Sequence, residues 1–528
     1  MNERKLLLAQ CYQTTSLYDS MFGDTKKLKE YLQLRYPASE FSSVQRWLAT
    51  NAFDRVPTWP DRYSIRLYKT GSNIPGHFIA ANLRVPTTVI DEPATPELLM
   101  EYLDKESYTH VGLGIYVDGY TDFVKCARAI KKHYPDIITI AGNVGAMFPG
   151  TEKYVDHVCR GDGVAFLREL FGEDVNSPRR ISATLGHMVT DVFGITFKSE
   201  MLQIVTKIGC PQKCDFCVTN KLFSGAYSGP YFTPQQVHDE IIAHARKTHN
   251  KIKIGFAEPT AIVSLDWWYE LFRLFEQDDG DFAVIIASTA ASMNALDLDR
   301  VKKSSLRIDT VNLGVESFDR IYVKNRSLDM KSLIHHLADY GISTYATYII
   351  GFDHHTRESV WQDVKKLVDL DAAAYGVINL KPLPETPIWE QYKAAGRLLD
   401  VPWDFYYMLG FQPYTHPHFK PGFEDMLPLL VDVNAYIERE RGMQGLDIAK
   451  TLENIQDKHL AIKKQVQIYK ILGRVLFKSW VRHLHPTAAQ IASYKLKASE
   501  PGKHLPSIGE IILGNNFTRK MYGALASK

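Results

Sequence analysis

Three cysteines stand within eight residues in the segment Cys210-Pro-Gln-Lys-Cys214-Asp-Phe-Cys217, which follows a predicted strand over 201–206. A disulfide framework would spread its cysteines and would need an oxidising compartment. A tight triplet in a reducing compartment indicates thiolate ligands for zinc or for an iron–sulfur cluster. A structural zinc site takes four protein ligands, whereas this segment supplies three and no histidine follows in a zinc-like register. The segment therefore predicts a 4Fe–4S cluster with one iron left open to a small ligand.

The motif lies at the start of a regular alternation of strands and helices. Strands are predicted at 201–206, 251–256, 282–288, 308–315, 344–350 and 374–380. Helices are predicted from Thr233, where Gln236 completes a capping box, and near 264–277, 293–303, 329–340 and 356–369. Six strands with five intervening helices predict a partial (β/α)6 TIM-type barrel over 195–400. Functional residues of such barrels lie at the carboxyl ends of the strands.

An earlier α/β pattern occupies residues 1–190. Strands are predicted at 87–91, 110–115 and 137–142, with helices at 96–103 and 122–133 between them. This alternation predicts a Rossmann-like, doubly wound parallel sheet, which binds ligands beyond the carboxyl ends of its strands. Gly114, Gly142 and Gly145 fall at those ends, where glycine either admits a ligand close to the backbone or makes a tight turn. Residues 171–200 are polar and predict a linker.

The cysteine motif, with the aromatic Phe216 before its third cysteine, resembles that of the radical S-adenosylmethionine (SAM) superfamily. Four later segments strengthen the resemblance: Gly255-Phe-Ala-Glu258-Pro259, Val311-Asn-Leu-Gly-Val-Glu316-Ser317, Tyr348-Ile-Ile-Gly-Phe352 and Leu380-Lys-Pro-Leu-Pro-Glu-Thr-Pro387. The resemblance implies that Cys210, Cys214 and Cys217 ligate the cluster and that Phe216, Glu258 and Glu316 contribute to SAM binding. Glu258 could instead be a solvated loop acid, and Glu316 could pair with an arginine. The family's GGEP reads GFAEP here, and Ala287-Ser288-Thr289 replaces a common basic residue.

The N-terminal region resembles the cobalamin-binding domain of cobalamin-dependent radical SAM enzymes. The matching residues are Asp91, Gly112, Gly114, Gly142, Gly145, Arg160, Gly161 and Asp162. The resemblance implies bound cobalamin. The motif D-x-H-x-x-G, which supplies a histidine to cobalt, does not occur in the sequence, so the lower face of cobalamin is expected to lack a histidine ligand. The alternative is a retained fold that binds nothing.

Residues 401–528 lack the strand–helix alternation and predict a mainly helical C-terminal domain. Aromatic residues crowd 403–423, where core packing is the simpler interpretation and an apolar pocket the alternative. His416 and His418 are interpreted as surface residues, with proton carriers as the alternative. A basic amphipathic helix is predicted over 463–484, either as a bundle helix with a solvated face or as a membrane-surface helix serving a lipid substrate.

Composition narrows the class of protein. A formal net charge of +2 and a pI near 8.0 argue against nucleic acid as the main partner. The N-terminus lacks the pattern of a signal peptide, and no apolar run reaches the roughly 18 residues of a membrane span, which together predict a cytoplasmic protein. Cys126 and Cys159 are interpreted as small buried hydrophobes.

Three functions remain open. The first is cobalamin-dependent methylation of an unactivated carbon in a small-molecule or lipid substrate, with electrons from a donor such as flavodoxin or ferredoxin. The second is a cobalamin-dependent cyclisation or rearrangement without methyl transfer. The third is a non-catalytic iron–sulfur protein, against which the segments GFAEP and LGVES count, because a structural cluster needs no SAM contacts. The sequence names no further catalytic residue.

Overall fold

The computed structural model describes residues 4–12, 25–36, 38, 41–49, 65–70, 72–192, 195–223, 227–248, 251–318, 325 and 328–441. Its strands are β1 Leu6–Cys11, β2 Ile65–Thr70, β3 Thr87–Pro93, β4 His110–Ile115, β5 Ile138–Gly142, β6 His157–Val158, β7 Ala183–Val192, β8 Ile195–Ile204, β9 Lys251–Phe256, β10 Asp281–Ser288, β11 Leu306–Glu316, β12 Ser343–Ile350 and β13 Ala374–Asn379.

The α-helices are Thr25–Arg35, Ser42–Leu48, Ile74–Ala81, Pro96–Lys105, Tyr120–His133, Gly163–Phe171, Thr219–Leu222, Pro234–Ala245, Leu265–Leu274, Ala290–Asn294, Leu298–Val301, Met330–Asp339, Arg357–Asp369, Pro387–Ala394 and Met426–Arg441. Short 3-10 helices cover Val117–Gly119, Val144–Met147, Thr151–Lys153, Arg246–Thr248 and Trp403–Tyr406. Among the described residues, no helix is both long enough and apolar enough to cross a membrane.

The first sheet has the order β3-β1-β4-β5-β6, and all of its strands are parallel. Along β1, Leu7 and Ala9 join one apolar cluster while Leu6 and Leu8 join another. Side chains alternate across a strand, so the two clusters lie on opposite faces of the sheet. The chain runs from β1 out to β3 and back to β4, which places a reversal of strand order beside β1. Ligands of open α/β sheets bind at such a reversal.

The second sheet has the order β13-β12-β11-β10-β9-β8-β7-β2. From β8 to β13 the neighbours are parallel and sequential, as the alternating pattern predicts. β7 and β2 extend this sheet with antiparallel pairing. The prediction of a linker over 171–200 is therefore wrong, because β7 pairs with β8 along its whole length. β2 and β7 belong to the second sheet although β2 and most of β7 lie within residues 1–190.

Helix capping follows the sequence closely. Thr233 and Gln236 form the predicted capping box at the start of the helix Pro234–Ala245. The single helix predicted over 293–303 is wrong, since two short helices occupy this stretch. Asp297 caps the second of them by accepting a hydrogen bond from the Arg300 backbone N–H, and a residue that caps a helix cannot also continue the one before it.

A buried charge cluster joins the first sheet's unit to the region after β13. The Asp404 carboxylate is fully buried and accepts hydrogen bonds from the Thr121 hydroxyl (2.6 Å) and from the Arg35 guanidinium (3.2 Å). Burial raises the pKa of Asp404, against the opposing effect of Arg35. Trp389 and Tyr406 also pack into an apolar cluster of the first sheet. These contacts join the region after β13 to the first sheet's unit. The helix predicted over 463–484 lies outside the described residues.

Candidate active site

The cysteine loop leaves the carboxyl edge of the second sheet just after β8. Cys210 is buried, and Cys214 and Cys217 are half-buried. The Cys217 backbone N–H donates to the Cys214 carbonyl (3.2 Å), which makes a tight turn between the last two cysteines. The loop reaches across the sheet edge, because the Ile388 N–H donates to the Asp215 carbonyl at 3.3 Å.

Phe216, within the cysteine loop, packs against a residue that follows β12. Its ring lies edge-on to that of Phe352, with ring centroids 6.3 Å apart. Phe352 follows β12, so the cysteine loop, which follows β8, also contacts the same carboxyl edge four strands away. The prediction that Phe216 contributes to SAM binding stays a prediction, and the structure gives its ring a packing partner.

Glu258, two residues after β9, is held by the residues that lead into the cysteine loop. One carboxylate oxygen accepts hydrogen bonds from the Thr206 backbone N–H (2.7 Å) and hydroxyl (2.5 Å). The other oxygen forms an ion pair with the Lys207 ammonium, and the two side chains are 0% and 4% exposed. Glu258 is therefore no solvated loop acid. Its carboxylate fixes the start of the loop, and contact with SAM stays a prediction.

The turn after Glu258 also reaches the first cysteine. The Thr260 hydroxyl oxygen lies 3.4 Å from the Cys210 sulfur, and Thr260 is buried. On the next strand, the Ser288 hydroxyl at the end of β10 is buried without a hydrogen-bond partner in the described chain. A buried hydroxyl without a partner is costly, so a polar group of a ligand would satisfy it. The sequence drew attention to 287–289 only as a departure from the family pattern.

Glu316 ends β11 in an unusual conformation. Its φ is +65°, in the left-handed region that residues other than glycine seldom adopt. The pairing with β12 shifts register between Gly314 and Glu316, and Glu316 is buried. Strained backbone of this kind concentrates at functional sites. Glu258, Ser288 and Glu316 thus end or follow three adjacent strands at one edge, as expected for a barrel site.

Two side chains near this edge, the buried His355 and the half-buried Lys381, were not singled out from the sequence. His355 accepts a hydrogen bond from the Gly351 N–H (3.0 Å), and burial lowers its pKa to about 3. Lys381, after β13, donates to the carbonyls of Met408 and Phe411 at 2.5 Å each, and burial lowers its pKa well below the usual value. The sequence does not indicate either perturbed pKa, because each results from the surroundings of the side chain in the folded structure.

The three thiols do not form a site for a single metal ion. Within the described chain, no three His, Cys, Asp or Glu side chains group as a metal-ion site. The chemistry of the three cysteines nevertheless fits an iron–sulfur cluster, whose irons are held by thiolates. The loop that carries them contacts the turn after Glu258 through Cys210 and contacts Phe352 through Phe216.

The glycines at the carboxyl edge of the first sheet differ from one another. A Cβ added at Gly142 would meet nothing within 4 Å, whereas one at Gly145 would lie 2.2 Å from Ile115. A Cβ at Gly114 would make ordinary contact with Gln10 at 3.4 Å. Gly145 is thus required by packing, and Gly142 borders open space that fits the close approach of a ligand. Cobalamin binding by all three stays a prediction.

Tyrosines stand at the reversal of strand order in this sheet. The rings of Tyr12 and Tyr116, which follow β1 and β4, lie edge to face at 6.0 Å. Burial, with Tyr116 next in effect, raises the pKa of Tyr12 to about 12. Tyr407 from the aromatic stretch is 52% exposed. Partial burial raises the pKa of Tyr407, and Asp118 and Tyr116 add to the effect, so this tyrosine lies near both.

The aromatic stretch is otherwise core. Six of its aromatics are buried: Phe405, Tyr406, Phe411, Tyr414, Phe419 and Phe423. His418 is exposed as predicted, but His416 is half-buried, and its Nε2 lies 2.9 Å from the Phe352 carbonyl. Burial lowers the pKa of His416. Cys126 and Cys159 are buried free thiols, as predicted.

The two carboxyl edges approach each other. A Cβ at Gly161, in the turn after β6, would lie 3.8 Å from the Leu222 carbonyl oxygen, five residues beyond Cys217. Tyr116 and Asp118, after β4, lie near Tyr407 of the second unit. Loops from the carboxyl edge of the first sheet therefore lie beside the region that carries the cysteines.

Residues 204–367 match the sequence profile of the radical SAM superfamily. This part of the chain is a radical SAM domain. The match begins at the last residue of β8 and covers the cysteine loop, Glu258 and Glu316. The recognition made from the cysteine motif is confirmed at the level of the superfamily.

Two curated relatives of this chain are named methyltransferases. Bacteriochlorophyllide d C-12(1)-methyltransferase of Chlorobaculum tepidum is 25% identical over 228 residues, covering 41% of this chain and 48% of the relative. An uncharacterized methyltransferase of Pyrococcus horikoshii is 24% identical over 214 residues, covering 38% and 44%. The chain thus spans about half the length of the curated relatives it matches.

Among solved structures, the chain is similar to the radical SAM methyltransferase TsrM from Kitasatospora setae with cobalamin and a 4Fe–4S cluster bound. The identity is 15%, the coverage 76% of this chain and 80% of that chain, and the TM-score 0.49.

Proposed function

We propose that this radical SAM protein is a cobalamin-dependent C-methyltransferase that acts on an unactivated carbon of a small-molecule or lipid substrate. The observation that carries the proposal is the approach of two carboxyl edges, one with the cysteine loop and one with the open backbone at Gly142. When bound, the 4Fe–4S cluster would supply the electron that cleaves SAM to a 5′-deoxyadenosyl radical, and cobalamin would supply the methyl group.

The residues of the second sheet's edge would hold the cluster and SAM. Cys210, Cys214 and Cys217 are the proposed cluster ligands, with a donor such as flavodoxin or ferredoxin as electron source. Glu258 holds the start of their loop through Thr206 and Lys207. The Ser288 hydroxyl and Glu316 are the proposed polar contacts for SAM. Phe352 and Phe216 cover the loop with apolar surface, which would exclude water from a reactive radical.

The residues of the first sheet's edge would hold cobalamin. Gly142 leaves space next to the backbone, and Tyr12 and Tyr116 flank the reversal of strand order. Tyr12, with its pKa raised to about 12, stays neutral at physiological pH. The names of both relatives favour methyl transfer over cyclisation or rearrangement, which remains the second candidate because the same cofactors would serve it.

Nucleoside analysis tests the proposal. Full-length protein is reconstituted anaerobically with iron, sulfide and hydroxocobalamin, and then reduced in the presence of SAM. Methyl transfer predicts both S-adenosylhomocysteine and 5′-deoxyadenosine, with deuterium from a labelled SAM methyl group appearing in cobalamin or product. 5′-Deoxyadenosine without any S-adenosylhomocysteine would favour cyclisation or rearrangement. The absence of both nucleosides from cluster-loaded protein would leave a non-catalytic iron–sulfur protein.

A further inference from the structure

Thr260 contacts the sulfur of the first cysteine in the loop. Its hydroxyl oxygen lies 3.4 Å from the Cys210 sulfur, a distance within hydrogen-bonding range for sulfur, and Thr260 is 5% exposed. A thiol and a hydroxyl can each donate. A cysteine bound to iron is a thiolate and carries no proton, so in that state only the Thr260 hydroxyl can be the donor.

The backbone around Thr260 is fixed on three sides. The Ala261 N–H donates to the Ala287 carbonyl of β10 at 2.7 Å. The Ala261 carbonyl accepts from the Lys207 ammonium (2.7 Å) and from the Trp268 indole N–H (3.0 Å). Glu258, two residues earlier, is held in the buried ion pair with Lys207. The turn therefore cannot carry Thr260 away from Cys210 without breaking several buried hydrogen bonds.

We propose that Thr260 donates a hydrogen bond to the Cys210 thiolate and thereby raises the reduction potential of the cluster, an inference that rests on the proposed cluster ligation. A hydrogen bond to a cluster sulfur stabilises the more negative, reduced state more than the oxidised state. Hydrogen bonds to the sulfurs and burial are the protein's means of setting cluster potentials. Thr260 is thus a positioning and tuning residue that needs no contact with SAM.

The test compares Thr260→Val with Thr260→Ser in reconstituted full-length protein. Valine keeps the shape of threonine and removes the donor, whereas serine keeps the donor. Thr344→Val is the matched control, because the Thr344 hydroxyl is buried on β12 without a hydrogen-bond partner in the described chain. The measurement is a redox titration of the cluster followed by electron paramagnetic resonance.

Thr260→Val is expected to shift the midpoint potential to a more negative value. The expected size is about tenfold in the equilibrium between reduced and oxidised cluster, which is about 59 mV for one electron. Thr260→Ser and Thr344→Val are expected to match the wild type. Equal potentials for Thr260→Val and the wild type, with full iron content in both, would overturn the inference alone. A wild-type protein that takes up no cluster would instead overturn the proposed function.

Discussion

The carboxyl edges of the two parallel sheets have different chemistry. The edge of the second sheet is crowded with buried polar groups that are already bonded to one another, such as Glu258 with Lys207 and Thr206. The edge of the first sheet has open backbone at Gly142 and tyrosine rings at Tyr12 and Tyr116. The difference suggests that the second edge holds a charged, reactive group through fixed side chains, while the first admits a large ligand against its backbone.

The largest expected effect is loss of the cluster from the edge of the second sheet, with the first sheet unaffected. Replacing Cys210, Cys214 and Cys217 together with Ala should abolish cluster assembly, because thiolates are the ligands of such clusters. Iron and sulfide should fall from about four each per chain to background in reconstituted protein. Cys159→Ala is the matched control, since this buried thiol lies in the first sheet's unit and should leave iron content unchanged. Unchanged iron in the triple variant would refute the ligand assignment.

The next effect tests why the second edge is rigid. Glu258→Ala leaves the Lys207 ammonium buried without its partner and should lower the free energy of unfolding by about 3–5 kcal/mol. The double variant Lys207→Met/Glu258→Leu removes both charges and should recover most of that loss, as judged by urea denaturation. The double variant also isolates the proposed SAM contact. If it retains its cluster and binds SAM as tightly as the wild type, Glu258 does not belong to the SAM site.

A smaller effect is expected on cobalamin binding at the edge of the first sheet. Gly142→Val should weaken cobalamin binding by about tenfold, which is about 1.4 kcal/mol, because the new side chain fills the space that a ligand would need. Its unfolding midpoint should stay near the wild-type value, since an added Cβ meets nothing within 4 Å. Gly145→Val should instead lower stability by about 1–3 kcal/mol through overpacking against Ile115. A Gly142→Val protein that binds cobalamin normally would remove this glycine from the site.

A further effect concerns the pH dependence of stability. His355 is buried and its pKa is lowered to about 3, so from about pH 6.5 down to about pH 3 the unfolded chain binds a proton that the folded chain does not. The free energy of unfolding should therefore decrease as the pH is lowered through this window, by up to about 1.4 kcal/mol per pH unit for this group. His355→Gln should show a shallower dependence. Identical slopes in the two proteins would exclude His355 as the source.

The sequence predicted the features that depend on local pattern. The strand over 251–256 coincides with β9, and the capping box at Thr233 forms as expected. It missed β2 and β7, whose pairing joins Ile65 to Val192, because contacts between segments so far apart leave no local signature. The ion pair of Glu258 with Lys207 was missed for the same reason.

The glycines show a second limit of sequence patterns. Gly142 and Gly145 lie at the same strand end and looked equivalent, yet one borders open space and the other packs against Ile115. Which of the two a ligand can approach depends on the side chain of another strand. His355 and Lys381 were likewise invisible, because only burial distinguishes them from surface residues of the same types.

The most direct test of the central claim is the cofactor content of one reconstituted full-length chain after gel filtration. Full length matters, because a chain ending at residue 190 would leave β7 without its partner β8. The account predicts about four irons, about four sulfides and one cobalamin per chain, with no histidine-ligated cobalt in the visible spectrum. Iron and sulfide without any cobalamin would contradict it, and the first sheet would then be a scaffold for the radical SAM domain alone.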